Sequence, residues 1–449
     1  MTKDMSTGNP TKIILFFALP LVLSGVFQQL YIIADSVIVG NYVGIEALAA
    51  VGASFPIIML FIAVAMGAAN GCSVIISQMF GAKRLRDMKT AISTSIISIA
   101  VLSIILLVLG LIFCNGILSL MNTPLDIFDI SSSYLRICTV AIVFLFIYNG
   151  AMGAFLGMGN SRTPMFILVF SSVFNVILAF LFVAVLHLGV KGAGWATLIA
   201  QGISSLLAVT ALHIRLGKIE TEEKAKLFDL NIFKQICSLA IPSITQQSIV
   251  SIGQLLIQVL VNSYGSTVVA GYSAAVKINS FISMLMGNMS SAVSTFTAQN
   301  LGASKPERVK DGHKSALRIV LSFCVIVIIS IFAFGNSIIG MFLDSNSSLE
   351  IINVGVHYLK TVAFSYILLS FMLMANGVLR GSGDMKIYMF STLSDLFVRV
   401  IASYMLNGVI GEKALWVSIP IGWLVGTVIS NIRYRSNKWI EKVTIYQAC

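Results

Sequence analysis

Four ionisable side chains stand inside long apolar stretches: Asp35, Lys277, Asp395 and Arg399. A charge at the centre of a membrane span costs at least ~2.5 kcal/mol, so such residues mark a pathway, a relay or a pair. Asp35, set among Ile33, Ala34, Val37 and Ile38, is the strongest candidate for carrying a cation. Its carboxyl can be neutralised by a proton or held as the anion by a sodium ion. The competing reading is a hydrated or structural carboxylate near the outer interface. Asp395 and Arg399 are four residues apart, which on a helix puts them on one face, and a structural ion pair is expected. Lys277 has no carboxylate at helical spacing; it lines a cavity or snorkels to the interface.

Amides form a second group. Gln28 and Gln29 adjoin in one apolar stretch, and Gln246, Gln247, Gln254 and Gln258 fall in another. Gln247, Gln254 and Gln258 are spaced to share a helix face. Amides hydrogen-bond varied ligands and suit a permissive cavity, or else they bond between helices. Met286, in a run with Phe281, Met284 and Met289, adds a flexible, polarisable contact for apolar cations.

The elements that must hold these residues are membrane spans. The chain has 449 residues, 57% hydrophobic and only 10% charged, with a mean hydropathy of +0.94. Soluble domains carry about 25% charged residues, so a soluble enzyme, a disordered chain and a fibrous one are excluded. Apolar stretches lie near 13–39, 51–79, 90–114, 132–156, 164–188, 192–214, 236–262, 267–299, 315–342, 355–379, 387–410 and 414–432. Each is long enough to cross a bilayer as a helix. The net charge of +11 is not a nucleic-acid patch. The basic residues fall in alternate loops, such as Lys83 to Lys89, Arg215 to Lys234 and Lys305 to Arg318. Only Arg136, Lys191, Lys360 and Lys413 are on the other side. The basic side is expected to be cytoplasmic, with both termini there, Lys3 included.

The sequence also repeats. Ala18-Leu19-Pro20 returns as Ala240-Ile241-Pro242, and Gln78-Met79-Phe80-Gly81-Ala82 as Gln299-Asn300-Leu301-Gly302-Ala303. Gly157 to Arg162 returns as Gly381 to Lys386, and Trp195 as Trp416, at separations of 221 to 224 residues. The expected fold is therefore all-α, with twelve transmembrane helices in two six-helix pseudo-symmetric lobes. The lobes are residues 1–216 and 234–449, joined by a charged cytoplasmic linker, 217–233. An even number of spans per repeat makes the two copies parallel, and two such lobes can rock about a central site.

This pattern resembles the multidrug and toxic compound extrusion (MATE) transporters. The likeness is carried by Ala34-Asp35-Ser36-Val37-Ile38-Val39-Gly40 with Ala47-Leu48-Ala49-Ala50, by the glutamine and Gly-Ala exits of spans 2 and 8, and by Leu379-Arg380-Gly381-Ser382-Gly383-Asp384. It covers essentially the whole chain. The resemblance implies secondary active export of organic, often cationic, drug-like compounds in exchange for protons or sodium by alternating access. It also implies a cation site at Asp35 with Asn175 and Thr197, and a bendable first span at Pro20. A proline removes one helix hydrogen bond, so Pro20 marks either a static kink or a hinge. Many members carry a second carboxylate one turn after the asparagine; here that position is Ala179. The superfamily also contains flippases of lipid-linked oligosaccharides, which remain the alternative.

Other signals are set aside. Gly381-Ser382-Gly383-Asp384 matches the string of intramembrane aspartyl proteases, but its repeat mate ends in Asn160, and a turn with a capping Asp or Asn explains both copies. His187, His213, His313 and His357 are scattered, and the six cysteines form no close pair, so neither a metal site nor a disulfide framework is expected. Cys449 is last in the chain and makes no prenylation box. No enzyme activity, no cofactor and no nucleic-acid partner are expected. The partners are small organic substrates and the bilayer of a bacterial cell membrane, around a monomer.

Overall fold

A computed structural model describes residues 4–343 and 348–443; Lys3 and Cys449 lie outside them. The described residues are almost all helical, and no strand is among them. Helices α1 (Pro10–Tyr42), α2 (Ile45–Gly81), α3 (Leu85–Leu120), α4 (Leu125–Gly157), α5 (Arg162–Phe180) and α6 (Gly189–Gly217) form the first repeat. The second repeat has α7 (Leu230–Asn262), α8 (Ser266–Gly302), α9 (Pro306–Gly340), α10 (Leu349–Ala363), α11 (Tyr366–Ser382), α12 (Met385–Ile410) and α13 (Ala414–Arg435). Among the described residues ten stretches are apolar and long enough to span a membrane; one of them, Met385–Arg435, holds both α12 and α13. The pair α10 and α11 is long and apolar enough only when taken together, and it is bent by 55°. Every expected apolar stretch is thus a helix or a helix pair. Helices dominate because a backbone in hydrocarbon must satisfy its own hydrogen bonds.

At the bend between α10 and α11, Ser365 donates its hydroxyl to the Val362 carbonyl at 2.6 Å. The counterpart of this pair, α4, runs unbroken. Another irregularity is a π turn, Leu181–Val185, at the end of α5. The repeat register slips by three residues across this stretch, from Asn160/Asp384 to Trp195/Trp416.

Turns and packing repeat along with the sequence. Gly44 and Gly265, Lys83 and Ser304, and Gly159 and Gly383 all take positive φ, each pair at equivalent turns. A Cβ on Gly153 of α4 would lie 2.8 Å from the Ala69 carbonyl oxygen of α2. At the equivalent place a Cβ on Gly377 of α11 would lie 2.7 Å from the Ser290 carbonyl oxygen of α8. Gly157 and Gly381 continue these faces over Ser73 and Ser294. Small residues four apart let helix backbones approach closely, which is where membrane helices gain packing.

The chain divides into two compact units. One is built on Leu19–Gln247, the other on Met5–Ala18 and the residues from Ser248 on. In the first, α2 packs on α4, α4 on α6 and α3 on α4; in the second, α12 on α13, α11 on α8 and α10 on α8. The start of α7 belongs with the first repeat: Gly67 and Gly71 of α2 lie so close to Ile244 and Ala240 that a Cβ would meet their Cα atoms at 2.6 and 2.5 Å. The first residues before α1 belong with the second. Met5 N–H donates to Gln299 Oε1 at 3.1 Å, its carbonyl accepts from Asn300 and Arg308, and Lys305 reaches the Ser6 carbonyl at 2.9 Å.

The linker between α6 and α7 is anchored too. Lys89 donates to the Ile219 carbonyl at 2.5 Å, Arg86 pairs with Glu223 at 2.6 Å, and Lys226 N–H donates to Thr90. It ends at Asp229, whose Oδ1 accepts the N–H groups of Asn231 and Ile232, so α7 starts earlier than residue 234. These bonds, with the Lys226 ammonium at 3.1 Å, hold the Asp229 carboxyl below its ordinary range.

Two predictions follow from this packing. Gly153→Val should lower stability by ~1–3 kcal/mol through overpacking, while Gly202→Ala, with nothing within 4 Å of its Cβ, should not; thermal unfolding in detergent reads both, and equal Tm values for the two would contradict the packing. Asp229→Ala should cost ~1 kcal/mol at pH 7 by loss of the cap. Because folding depresses this pKa, the ionised contribution is present above the unfolded carboxylate value and is lost as pH falls through the folded one. The Tm gap between wild type and variant should therefore narrow in acid.

Candidate functional site

Asp35 sits on α1 one helical turn after Tyr31, so both face the same way. Its Oδ1 is buried and has no hydrogen-bond partner. Tyr31 lies within electrostatic reach of Asp35, with Thr197 of α6 beside it. On α4, Tyr134 and Cys138 are one turn apart, and both lie within the electrostatic reach of Asp35. Asn175 on α5 is only 4% exposed, and its Oδ1 is a second buried acceptor without a partner. Four helices of the first unit thus bring polar groups to one region.

The surroundings are apolar. Val39, Tyr134, Cys138, Ala179, Val183, Ala193 and Ala196 form one buried cluster, with Val176 packed on it. Asn175 stands on the same stretch of α5 as Val176 and Ala179, and Thr197 directly follows Ala196. Ala179 is fully buried at the position where a second acid was of interest. The π turn contributes Val183 to this cluster. Wide turns of this kind are frequent at functional sites.

The expected cation-site residues therefore lie in one unit, and three more join them. Tyr31, Tyr134 and Cys138 were not singled out by sequence. Tyr31 carried a usable signal, its four-residue spacing from Asp35. Cys138 and Tyr134 have the same spacing to each other, but a thiol and a phenol in an apolar span read as core.

Pro20 does not break α1, which is continuous from Pro10 to Tyr42. Ser24 donates its hydroxyl to the Pro20 carbonyl at 2.8 Å. The helix is locally weak here, since the proline lacks an N–H and a side chain shares the next carbonyl.

The remaining candidates are spread. Gln28, Gln254, Gln258 and Lys277 are exposed, and Gln29 and Gln247 half-buried. Gln258 donates to Asn262 Oδ1 at 2.9 Å on its own helix. Met286 is 1% exposed and packed, so it presents no surface to a ligand here; its flexibility fills the core of the second unit instead. The Asp395–Arg399 pair is not closed. Asp395 is 8% exposed, and its Oδ1 and Arg399 Nε are both buried without a hydrogen-bond partner. Gly422 of α13 occupies the approach to Asp395, where a Cβ would sit 2.5 Å from Oδ1, and Arg399 faces Tyr272 and Tyr358 electrostatically. Asp384 does not cap α12 either: its carboxylate pairs with Arg433 at 2.6 Å, whereas Asn160 does accept from Thr163 N–H at 3.1 Å. Among the described residues no three of His, Cys, Asp and Glu come together to hold a metal.

The comparisons agree with this architecture. The MatE family model matches two segments, residues 20–181 and 242–405, which begin at the repeated prolines. The chain is 27% identical to the probable multidrug resistance protein YpnP of Bacillus subtilis over 97% of both chains. It is 28% identical to the probable multidrug resistance protein YoeA of the same organism over 96% of this chain and 94% of the other. Its fold superposes with a TM-score of 0.89 on an outward-facing multidrug resistance MATE transporter of the MOP superfamily, at 24% identity over 99% of each chain.

The closeness of Tyr31 and Thr197 is open to a double-mutant cycle. Tyr31→Phe and Thr197→Val should show a coupling of about 0.5–1 kcal/mol in stability. Strictly additive effects on Tm would show that the two side chains do not interact.

Proposed function

The chain belongs to the multidrug and toxic compound extrusion (MATE) family, and on that premise we propose that it is a secondary active antiporter. It exports organic, cationic, drug-like compounds as protons or sodium ions move inward. A role in moving compounds across a membrane goes with the family and with relatives named for multidrug resistance. The coupling ion, the substrates and the orientation are our reading.

The observation that carries it is the pair of buried acceptors, Asp35 Oδ1 and Asn175 Oδ1, each without a donor in a region floored by apolar side chains. A buried acceptor left unsatisfied costs ~1–3 kcal/mol. A proton arriving at Asp35 turns one acceptor into a donor and removes the charge. Sodium would instead draw both oxygens to itself, with the Thr197 hydroxyl as a third ligand. Ala179 supplies no second anion, which favours the proton.

Loading changes what α1 prefers to face. A charged Asp35 favours polar and hydrated surroundings, and a neutral one tolerates apolar packing against Val39 and Ala179. The weak point at Pro20 lets the part of α1 that carries Asp35 respond. The amides at Gln28 and Gln29 are on that same helix, so cation loading and substrate contact share one moving element. Alternating access then couples outward substrate movement to inward cation movement. The basic loops support a cytoplasmic side for both termini.

The test is ethidium uptake into everted vesicles, where export runs inward, with proton and sodium gradients imposed separately. Wild type should export under one gradient, which names the ion. Asp35→Asn should lower gradient-driven export by more than about tenfold, the effect of losing ~1.4 kcal/mol or more of coupling, while Asp35→Glu should retain part of it. Full activity in Asp35→Asn would exclude this carboxyl as the coupling group, and no export under either gradient would redirect attention to flipping of polar lipids.

A further inference from the structure

Lys277 is exposed on α8. It stands twelve residues after the turn at Gly265 that joins α7 to α8. That is roughly 18 Å along the helix, near the middle of a hydrocarbon layer about 30 Å thick. Among the described residues no carboxylate pairs with it: the ion pairs lie at helix ends or in loops, Lys83 with Asp4 and Arg433 with Asp384 among them. We propose that Lys277 receives the carboxylate of exported compounds, which are then amphoteric: organic cations that also carry an acid. The inference rests on the export reading above and narrows its substrate class.

The rest of the helix shows which medium this ammonium meets. Ser273, Lys277, Ser280, Met284 and Ser291 recur at helical spacing on one face of α8, and none of them is buried. The other side, with Ala275, Ile282 and Met286, is packed into the second unit. A side that suits lipid reads differently: α9 exposes Val325, Ile326, Ile329 and Phe332. A hydroxyl-rich face with an ammonium in it suits water, since a lone charge in hydrocarbon costs at least ~2.5 kcal/mol. The four-carbon stem cannot escape by snorkelling, because roughly 18 Å of helix separates Lys277 from the turn.

A fixed cation on such a face repels a purely cationic guest and attracts an anionic group, and so deep in the membrane the two effects are only partly screened. A compound that carries both charges turns the penalty into a contact. One ammonium balances the single charge of a carboxylate, whereas a phosphate dianion would be left half neutralised. Phe281, which is exposed, and Met284, which is half-buried, stand one turn from Lys277 and offer an aromatic face and a thioether to the rest of the molecule. Gln254 and Gln258 are exposed on α7 in the same unit. Gln254 lies eleven residues before Gly265, so it stands at about the depth of Lys277 and supplies an amide for hydrogen bonding there.

The experiment is fluorescence-anisotropy titration of the purified full chain with two dyes of one shape: tetramethylrhodamine, which carries a free carboxylate, and its methyl ester, which does not. Wild type should bind the acid about tenfold more tightly than the ester, the effect of one charge-assisted contact. Lys277→Gln should lower that preference by about tenfold, and Lys277→Arg should keep it. The same dyes are then offered to everted vesicles under proton and sodium gradients. Acid binding through Lys277 without uptake of either dye would uphold the site and overturn the antiport reading instead. Uptake of both dyes, with the same preference in wild type and Lys277→Gln, would overturn the site and leave that reading standing. Failure of wild type to bind the acid, or an acid preference that survives in Lys277→Gln, would overturn the proposal.

Discussion

A polypeptide in hydrocarbon has only itself to hydrogen-bond with, and the rest of this structure depends on that constraint. It makes the spans helical and limits where a helix can be irregular. Exceptions therefore stand out: prolines inside α1, α2, α7 and α13, a π turn after α5, and the break between α10 and α11. Of these, the π turn reaches the polar region near Asp35, with Val183 in the buried cluster there, and Pro20 lies upstream on the helix that carries Asp35. The same constraint explains why two buried acceptors without donors are informative. Among packed apolar helices an acceptor without a donor carries a cost that a partner would relieve.

The two repeats use one scaffold to hold different charges. Their turns take the same left-handed residues and their glycine faces make the same close approaches. Yet the first has Asp35 and Asn175 where the second has Ile257 near the one place and the Asp395–Arg399 face near the other. The amide Asn160 stands where the second repeat has Asp384. Backbone geometry is the shared inheritance, and polar content is where the copies have specialised.

Much of this was legible in sequence because the bilayer imposes a simple code. Apolar length marks each span, and repeated Pro, Gly and Trp residues mark the duplication. The residues proposed to hold a cation were legible as a charge where none is cheap, together with a family likeness. Tyr134 and Cys138 were not, because their role depends on which helix faces α1, and spacing along a single chain holds no such information. Met286 misled because a methionine on an apolar helix reads alike whether it packs or faces a ligand. Asp395 and Arg399 had the spacing of a pair, but the approach of α13 at Gly422 decides what each touches. Asp384 read as a cap until its partner, 49 residues away, was in view.

The assignment of Met5–Ala18 to one unit and of the start of α7 to the other bears on the order of synthesis. The ribosome delivers the first strip of chain long before the helices it docks on, α8 and α9, exist. That strip must wait in the translocon's surroundings while five helices that will not keep it are inserted. The first repeat, for its part, is finished only by residues that formally open the second. Neither half is a self-sufficient translation product, so the duplication that produced two copies also stitched them together, and a gene cut between the repeats would yield two incomplete bundles instead of two small transporters.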